Sequence, residues 1–356
     1  MSNMPPQWLG LLKWSLKYND GTKNTDEVRP MANEDKKFLE NVMKNLVVDE
    51  NEKMRVAITA LKLTDPNDNT ATSGDAKGKA DPKEDDPLSE LEALDKEESE
   101  KGEIVRKKEE TLELLDDLVL NGDNAKNYVN MGGLPPLLEI VQSKHDSLVK
   151  LACQLIASIS QNNPKVQVEF LKAQGLKVLL QLFRDPRTSG DVLGKALGAV
   201  SAVVRHCKPG EEAFKKAQGI PWLLKSLDDP KRKVPARVVK KGLALIRHFL
   251  DIEEDSKSMK TLLVALGAPR VIMSYHSHND IDVREKALEL IVEIATGTDE
   301  ASSKAKTALK AVDFGKKVET RMKEVIGLIR EGDKEDEEMY SVEMEYLKQL
   351  DSLNLA

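Results

Sequence analysis

Aromatic side chains are scarce in this chain: six Phe, five Tyr and three Trp make up 4% of 356 residues. A β-rich core leans on aromatic and β-branched residues, so that fold class is disfavoured from the start. Cysteine is scarcer, with Cys153 and Cys207 alone. Both sit in or beside apolar helical stretches and read as small core residues. Without a disulfide framework, the expected compartment is a reducing one, the cytoplasm, with the nucleus also open to it. No uninterrupted apolar run approaches the ~18–20 residues of a membrane span. Lys13 breaks the stretch from Trp8 to Leu16, so a secretory signal is not expected either.

The motifs of catalysis are missing as well. The sequence holds no G-x-x-x-x-G-K-[ST] loop, G-x-S-x-G elbow, H-E-x-x-H helix or C-x-x-C pair. Of five histidines, His276 and His278 are two apart, a spacing that does not share one helical face. His206 and His248 each end a helical stretch, where a donor or cation suits the last carbonyls. Neither an enzyme nor a metal or cofactor site is expected. No basic run is interleaved with aromatics, which argues against nucleic acid as a partner.

What the chain does have is repetition. Ala217-Gln-Gly-Ile-Pro-Trp-Leu-Leu-Lys-Ser-Leu227 is echoed by Met131-Gly-Gly-Leu-Pro-Pro-Leu-Leu138, Ala173-Gln-Gly-Leu-Lys-Val-Leu-Leu180 and Ala265-Leu-Gly-Ala-Pro-Arg-Val-Ile272. Gly133, Gly175, Gly219 and Gly267 lie 42, 44 and 48 residues apart, and a fainter copy at Ala311–Phe314 follows 46 residues on, counted to Asp313. From each glycine, apolar residues fall at +1, +4, +5 and +8. Leu134, Leu137, Leu138 and Val141 are the first set, and Ala268, Val271, Ile272 and Tyr275 the last. That is one stripe of a 3.6-residue helix, with the glycine ending one helix or turning the chain tightly before the next. Pro135, Pro221 and Pro269 fall in the first turn, where a missing N–H costs little. A helical period of this size is the mark of an armadillo or HEAT solenoid, and the expected fold is an all-α armadillo-repeat array of about four repeats with helical caps and a flexible N-terminal extension.

Composition divides the chain further. Residues 1–63 form a helical extension whose opening, Gln7 to Tyr18, holds Trp8 and Trp14. Prolines aside, residues 64–87 have no apolar side chain larger than alanine and are expected to be a disordered linker. The array with its N-terminal cap runs over 88–330, and 331–356 is read as an acidic spacer plus a C-terminal helix. Net charge is −7, yet residues 81–110 carry 13 acids against 6 bases, and residues 111–330 carry 34 bases against 27 acids. A mildly basic array between acidic flanks suits an acidic protein surface.

With no chemistry in sight, a surface remains. The positions opposite the buried stripe, +3 and +6 from each glycine, hold Pro136, Val178, Trp222 and Arg270, then Glu139, Gln181, Lys225 and Met273. This ridge is expected to line the groove of the solenoid, and on geometry alone Trp222, Lys225 and Arg270 are candidate partner contacts. No repeated tryptophan–asparagine ladder occurs, so the groove looks shaped for one folded partner instead of an extended basic peptide.

Two segments are specific beyond periodicity. Leu114 to Leu134, with its Asp123-Asn124-Ala125, and Leu151 to Pro164, with its Gln161-Asn-Asn-Pro164, closely resemble the armadillo-type nucleotide exchange factors of the 70-kDa heat-shock chaperone. The resemblance extends to Leu11-Leu-Lys-Trp-Ser-Leu16 and covers roughly 1–60 and 110–330; the linker and the acidic spacer depart from it. It implies a monomeric co-chaperone without catalytic residues. The concave face would grip one lobe of the chaperone's ATPase domain and loosen its hold on ADP, with the N-terminal region acting near the chaperone's substrate-binding end. Asn124, Ala125 and Lys241 are the contact residues so implied. The alternative is a generic armadillo scaffold or peptide-binding adaptor.

Overall fold

The structure, a computed structural model, describes residues 33, 36–37, 49–62, 87–229, 234–252, 256–332 and 334–355, with side chains from 102 onward in the helix that starts at 87. Two compact units are distinguished, Met1–Lys53 and Met54–Ala356. In the first, only 33, 36–37 and 49–53 are described. The tryptophan-bearing stretch 1–18, residues 38–48 of the N-terminal helical extension, and the expected linker up to residue 86 lie outside the described residues.

Among the described residues every regular element is a helix. Helix α1 (Glu50–Leu61) places Met54, Ala57, Ile58 and Leu61 in the core of the second unit. Helix α2 (Pro87–Leu118) is the cap, with Leu112 and Leu115 buried. Three-helix repeats follow. The first is α3 (Gly122–Asn130), α4 (Leu134–Ile140) and α5 (Asp146–Ser160); the second is α6 (Pro164–Lys172), α7 (Gly175–Arg184) and α8 (Gly190–Val204). The third is α9 (Lys208–Lys216), α10 (Gly219–Leu227) and α11 (Ala236–Asp251). The fourth is α12 (Ser256–Ala265), α13 (Ala268–Met273) and α14 (Ile281–Ala295), and the chain closes with α15 (Glu300–Lys310), α16 (Phe314–Glu331) and α17 (Lys334–Asp351). No helix among the described residues is long and apolar enough to cross a membrane.

The short second helices need tight entries, and the backbone supplies a left-handed residue just before each. Gly132 and Gly267 hold it at φ 78° and 73°, but Gln174, Gln218 and Asp313 hold it at 58°, 59° and 53°. The expectation that the aligned glycines make the turn therefore fails for Gly133, Gly175 and Gly219 and holds for Gly267 alone. Gly175 and Gly219 are glycine for a different reason: a Cβ there would sit 2.4 Å from the Phe170 ring and 2.3 Å from the Phe214 ring. Gly133 lies as close under Tyr128, whose hydroxyl donates to the Gly133 carbonyl at 2.8 Å. An aromatic ring five residues upstream thus lies flat on each glycine and fills the corner between first and second helices. In the fourth repeat the left-handed residue is Gly267 itself, so Ala268 takes the packing position, paired in sequence spacing with buried Leu263.

Adjacent third helices pack on one another in one continuous row: α2, α5, α8, α11, α14 and α17. The second helices α7, α10 and α13 form another. Helix α17 stands in the third-helix place of a fifth repeat, packed against both α14 and α16. The chain from Glu331 to Glu338 is therefore no spacer: α16 runs to Glu331 and α17 begins at Lys334, its first turn carrying Glu335, Asp336 and Glu337 where a helix N-terminus favours acids. Helix α17 buries Met344, Leu347 and Leu350 and docks through a buried charge cluster. Glu343, fully buried, accepts from Arg284 at 2.8–3.1 Å and from Arg321 at 2.8 and 3.3 Å, while Arg284 also donates to the His278 carbonyl at 2.7 Å.

Both cysteines are free and buried. Burial pushes the Cys153 thiol up to about 12, so its thiolate is absent at neutral pH. A thiol reagent is expected to leave Cys153 unmodified in the folded chain and to label it only at the rate of unfolding, a pattern mass spectrometry reads directly. Labelling at the rate of a free thiol would contradict the packing of α5.

Candidate partner-binding surface

His206 and His248 meet edge to face with centroids 5.3 Å apart, whereas His276 and His278 turn to separate backbone partners. His276 shares a hydrogen bond with the Met273 carbonyl at 2.9 Å, and His278 Nδ1 accepts from the Asp280 N–H at 3.0 Å; both brace the turn before α14. His206 occupies the left-handed position after α8, as Asn162 does after α5, and His248 Nε2 meets Glu211 at 2.8 Å. Among the described residues no group of His, Cys, Asp and Glu could hold a metal ion.

The residues expected to contact a partner separate into three kinds. Asn124 is 7% exposed and Ala125 1%. The Asn124 amide donates to the Leu118 carbonyl at 2.8 Å, tying the end of α2 to α3, and Asn121, not Asn124, is the N-cap. Ala125 lies at the floor of a cleft of about 420 Å³ with Leu120, Lys126, Ser158 and Asn162. These two residues position α3 more than they present surface.

Trp222, Lys225 and Arg270 lie on the second-helix row. Trp222 is half-buried, with the Arg184 guanidinium 5.0 Å and the Lys225 ammonium 5.1 Å from its ring centroid. Such cation–aromatic contacts at partly exposed sites stabilise by about 0.5–1 kcal/mol. Arg270, exposed, reaches Asp228 at 2.7 Å.

Lys241 stands apart, exposed on α11 in the third-helix row. Burial, Lys195 and Arg237 together hold its pKa below the ordinary lysine range. Its neighbours are engaged. Asp116 accepts from Gln154 at 2.7 Å, Gln154 in turn accepts from Lys195, and Asp191 pairs with Arg237. Lys240 bridges to Asp280 at 3.2 Å and Asp282 at 3.0 Å. Arg247 meets Glu289, Glu293 and Asp251. Periodicity picked out Trp222, Lys225 and Arg270 and the resemblance Lys241; periodicity reports which face of a helix is buried, not which helices stack in a row.

Residues 124–257 match the family model described as the SIL1/FES1/HPBP1 C-terminal domain. The chain is 33% identical over 132 residues to the Hsp70 nucleotide exchange factor FES1 of Candida albicans, covering 36% of this chain and 45% of that protein. It is 29% identical over 180 residues to the factor of the same name from Scheffersomyces stipitis, covering 50% and 61%. The chain thus spans about half to three-fifths of the length of these curated relatives. Among solved structures, a designed armadillo repeat protein superposes with a TM-score of 0.51 at 17% identity, over 83% of this chain and 99% of that one, which supports the fold alone. The family that this armadillo array resembles, by matched segment and by curated relatives, is the one its cap and first repeat point to: SIL1/FES1/HPBP1.

Proposed function

We propose that the chain is a co-chaperone that binds the ATPase domain of the 70-kDa heat-shock chaperone and promotes release of ADP, acting as a cytoplasmic monomer without a catalytic residue. The observation that carries this reading is the match of residues 124–257 to the SIL1/FES1/HPBP1 domain, together with relatives named Hsp70 nucleotide exchange factor. The armadillo rows supply what such a role needs, a long rigid face. A contact of about 800 Å² per partner is ordinary for a surface of this kind.

The mechanism is linkage. A partner that binds the open lobe of the chaperone better than the closed one lowers nucleotide affinity, and nucleotide lowers partner affinity by the same factor. A coupling of about 2–3 kcal/mol weakens ADP binding roughly 30- to 150-fold. In this reading Lys241 touches the chaperone from the third-helix row. Trp222, Lys225 and Arg270 widen the contact, and Asn124 and Ala125 hold α3 in place beside it.

The test is release of a labelled ADP analogue from the chaperone, with and without the chain. Saturating chain is expected to accelerate release by the factor above, and unchanged release would reject the reading. Lys241→Glu is the informative variant, since an exposed side chain can be reversed without disturbing the core. It is expected to cut the acceleration by roughly tenfold or more, in the range of a removed interfacial charge contact, with helical circular dichroism retained.

A further inference from the structure

Counting from the N-caps of three successive third helices exposes a register that the sequence repeats do not advertise. The N-caps of α8, α11 and α14 are Ser189, Pro235 and Asp280. Six residues on from each stands a lysine: Lys195, Lys241 and Lys286. The three helices pack side by side, so equivalent positions recur about 10 Å apart along the row. Lys195 and Lys241 are exposed and Lys286 partly so. In α5 the same position is Leu151, half-buried, so the column begins at the second repeat.

The column is distinctive for what it lacks. On α11 the arginines and the adjacent lysine have carboxylates: Arg237 has Asp191, Lys240 has Asp280 and Asp282, and Arg247 has Glu289 and Glu293. Among the described residues, none of Lys195, Lys241 and Lys286 has a carboxylate within ion-pair distance. Lys195 is met by the neutral Gln154 amide, and Lys241 lies over Gly198, where even a Cβ would come within 3.5 Å of its ammonium. Lys286 acts on the neighbouring Glu285, whose pKa burial, Asp282 and Glu343 raise against the pull of Arg284 and Lys286. Lys195 and Lys241 act on one another as like charges with no ion-paired carboxylate, which disfavours the free surface, and an acidic partner face relieves that cost.

We propose that Lys195, Lys241 and Lys286 form a three-rung cationic ladder that reads a row of carboxylates on the folded partner, setting the register in which the partner lies along the third helices. The proposal rests on the exchange-factor reading and deepens it: it names the chemistry of the face that the partner offers, and adds Lys195 and Lys286 as specificity-determining residues. A basic or neutral partner face meets the ladder unfavourably, so the ladder also rejects.

The experiment uses the full chain and measures association with the 70-kDa chaperone by stopped-flow or biolayer interferometry across a salt series, alongside ADP release. Lys195→Glu with Lys286→Glu is expected to slow association roughly tenfold or more at low salt and to flatten its salt dependence, because charges that steer encounter act chiefly on the on-rate. Lys195→Gln with Lys286→Gln should fall between. Lys177→Glu, an exposed lysine on second helix α7, should match the parent within about twofold. A parent that accelerates ADP release while the double reversal binds as fast as the parent, with helicity intact, overturns the ladder and leaves the exchange function standing. A parent that neither binds nor releases nucleotide overturns both.

Discussion

Replacing Glu343 with glutamine is expected to lower the unfolding free energy by about 3–5 kcal/mol, the cost of removing one partner from a buried ion cluster. Glu343 is fully buried between Arg284, itself 7% exposed at the side chain, and Arg321 at 15%. Without the carboxylate two guanidinium groups face each other inside the junction of α14, α16 and α17, and only Arg284 keeps a backbone acceptor, the His278 carbonyl. Chemical denaturation of E343Q should show the loss, and the C-terminal helix should exchange its amides first. Replacing all three residues with apolar side chains of similar volume should restore most of the stability, since the cluster's value is specificity of docking more than net energy.

The same group predicts an acid limb. Burial alone would raise the Glu343 carboxyl, but hydrogen bonds and charge from Arg284 and Arg321 outweigh it and hold the pKa below the ordinary carboxylate range. A carboxyl with a folded pKa below its unfolded value stabilises the fold above the unfolded value and loses that contribution as pH falls through the folded one. Below about pH 4 the parent should therefore lose stability steadily over a range where E343Q loses less.

Gly219→Ala is expected to destabilise by about 1–3 kcal/mol, the usual range for overpacking a core. The left-handed turn is not the cause, because that conformation belongs to Gln218. The added methyl would meet the Phe214 ring at 2.3 Å, and Phe214 has no room to retreat: it is fully buried and stacked on Phe249 with centroids 5.4 Å apart. Phe214→Leu alone should leave a cavity, at a cost of roughly 1–3 kcal/mol. Together the two changes recreate the Leu263 and Ala268 spacing that the fourth repeat already carries, so the double variant should be more stable than the sum of the singles predicts. Strict additivity in a double-mutant cycle would show that ring and glycine are energetically independent.

Much of the array was legible because its signal is periodic. Leu137, Leu179 and Leu223 recur at one offset from a glycine, and every one is buried. The exchange-factor resemblance was legible because Asp123-Asn-Ala125 and Gln161-Asn-Asn-Pro164 are short exact segments at the ends of helices. The fifth repeat showed only as the fainter copy at Ala311–Phe314, since Phe314 stands where the others have glycine or alanine, and Glu331 to Glu338 reads as solvated until Arg284 and Arg321 are seen to receive Glu343. The lysine ladder escaped notice for a related reason. Its register is counted from N-caps, and serine, proline and aspartate in that role share no letter.

Helix α17 in the place of a fifth third-helix has a mechanical consequence. A linear stack of near-neighbour contacts comes apart from its ends inward, and the end that is clasped sets the order of events. With two guanidinium groups gripping one carboxylate across α14, α16 and α17, a pull on the C-terminus must break that clasp before it reaches the rungs that hold a partner.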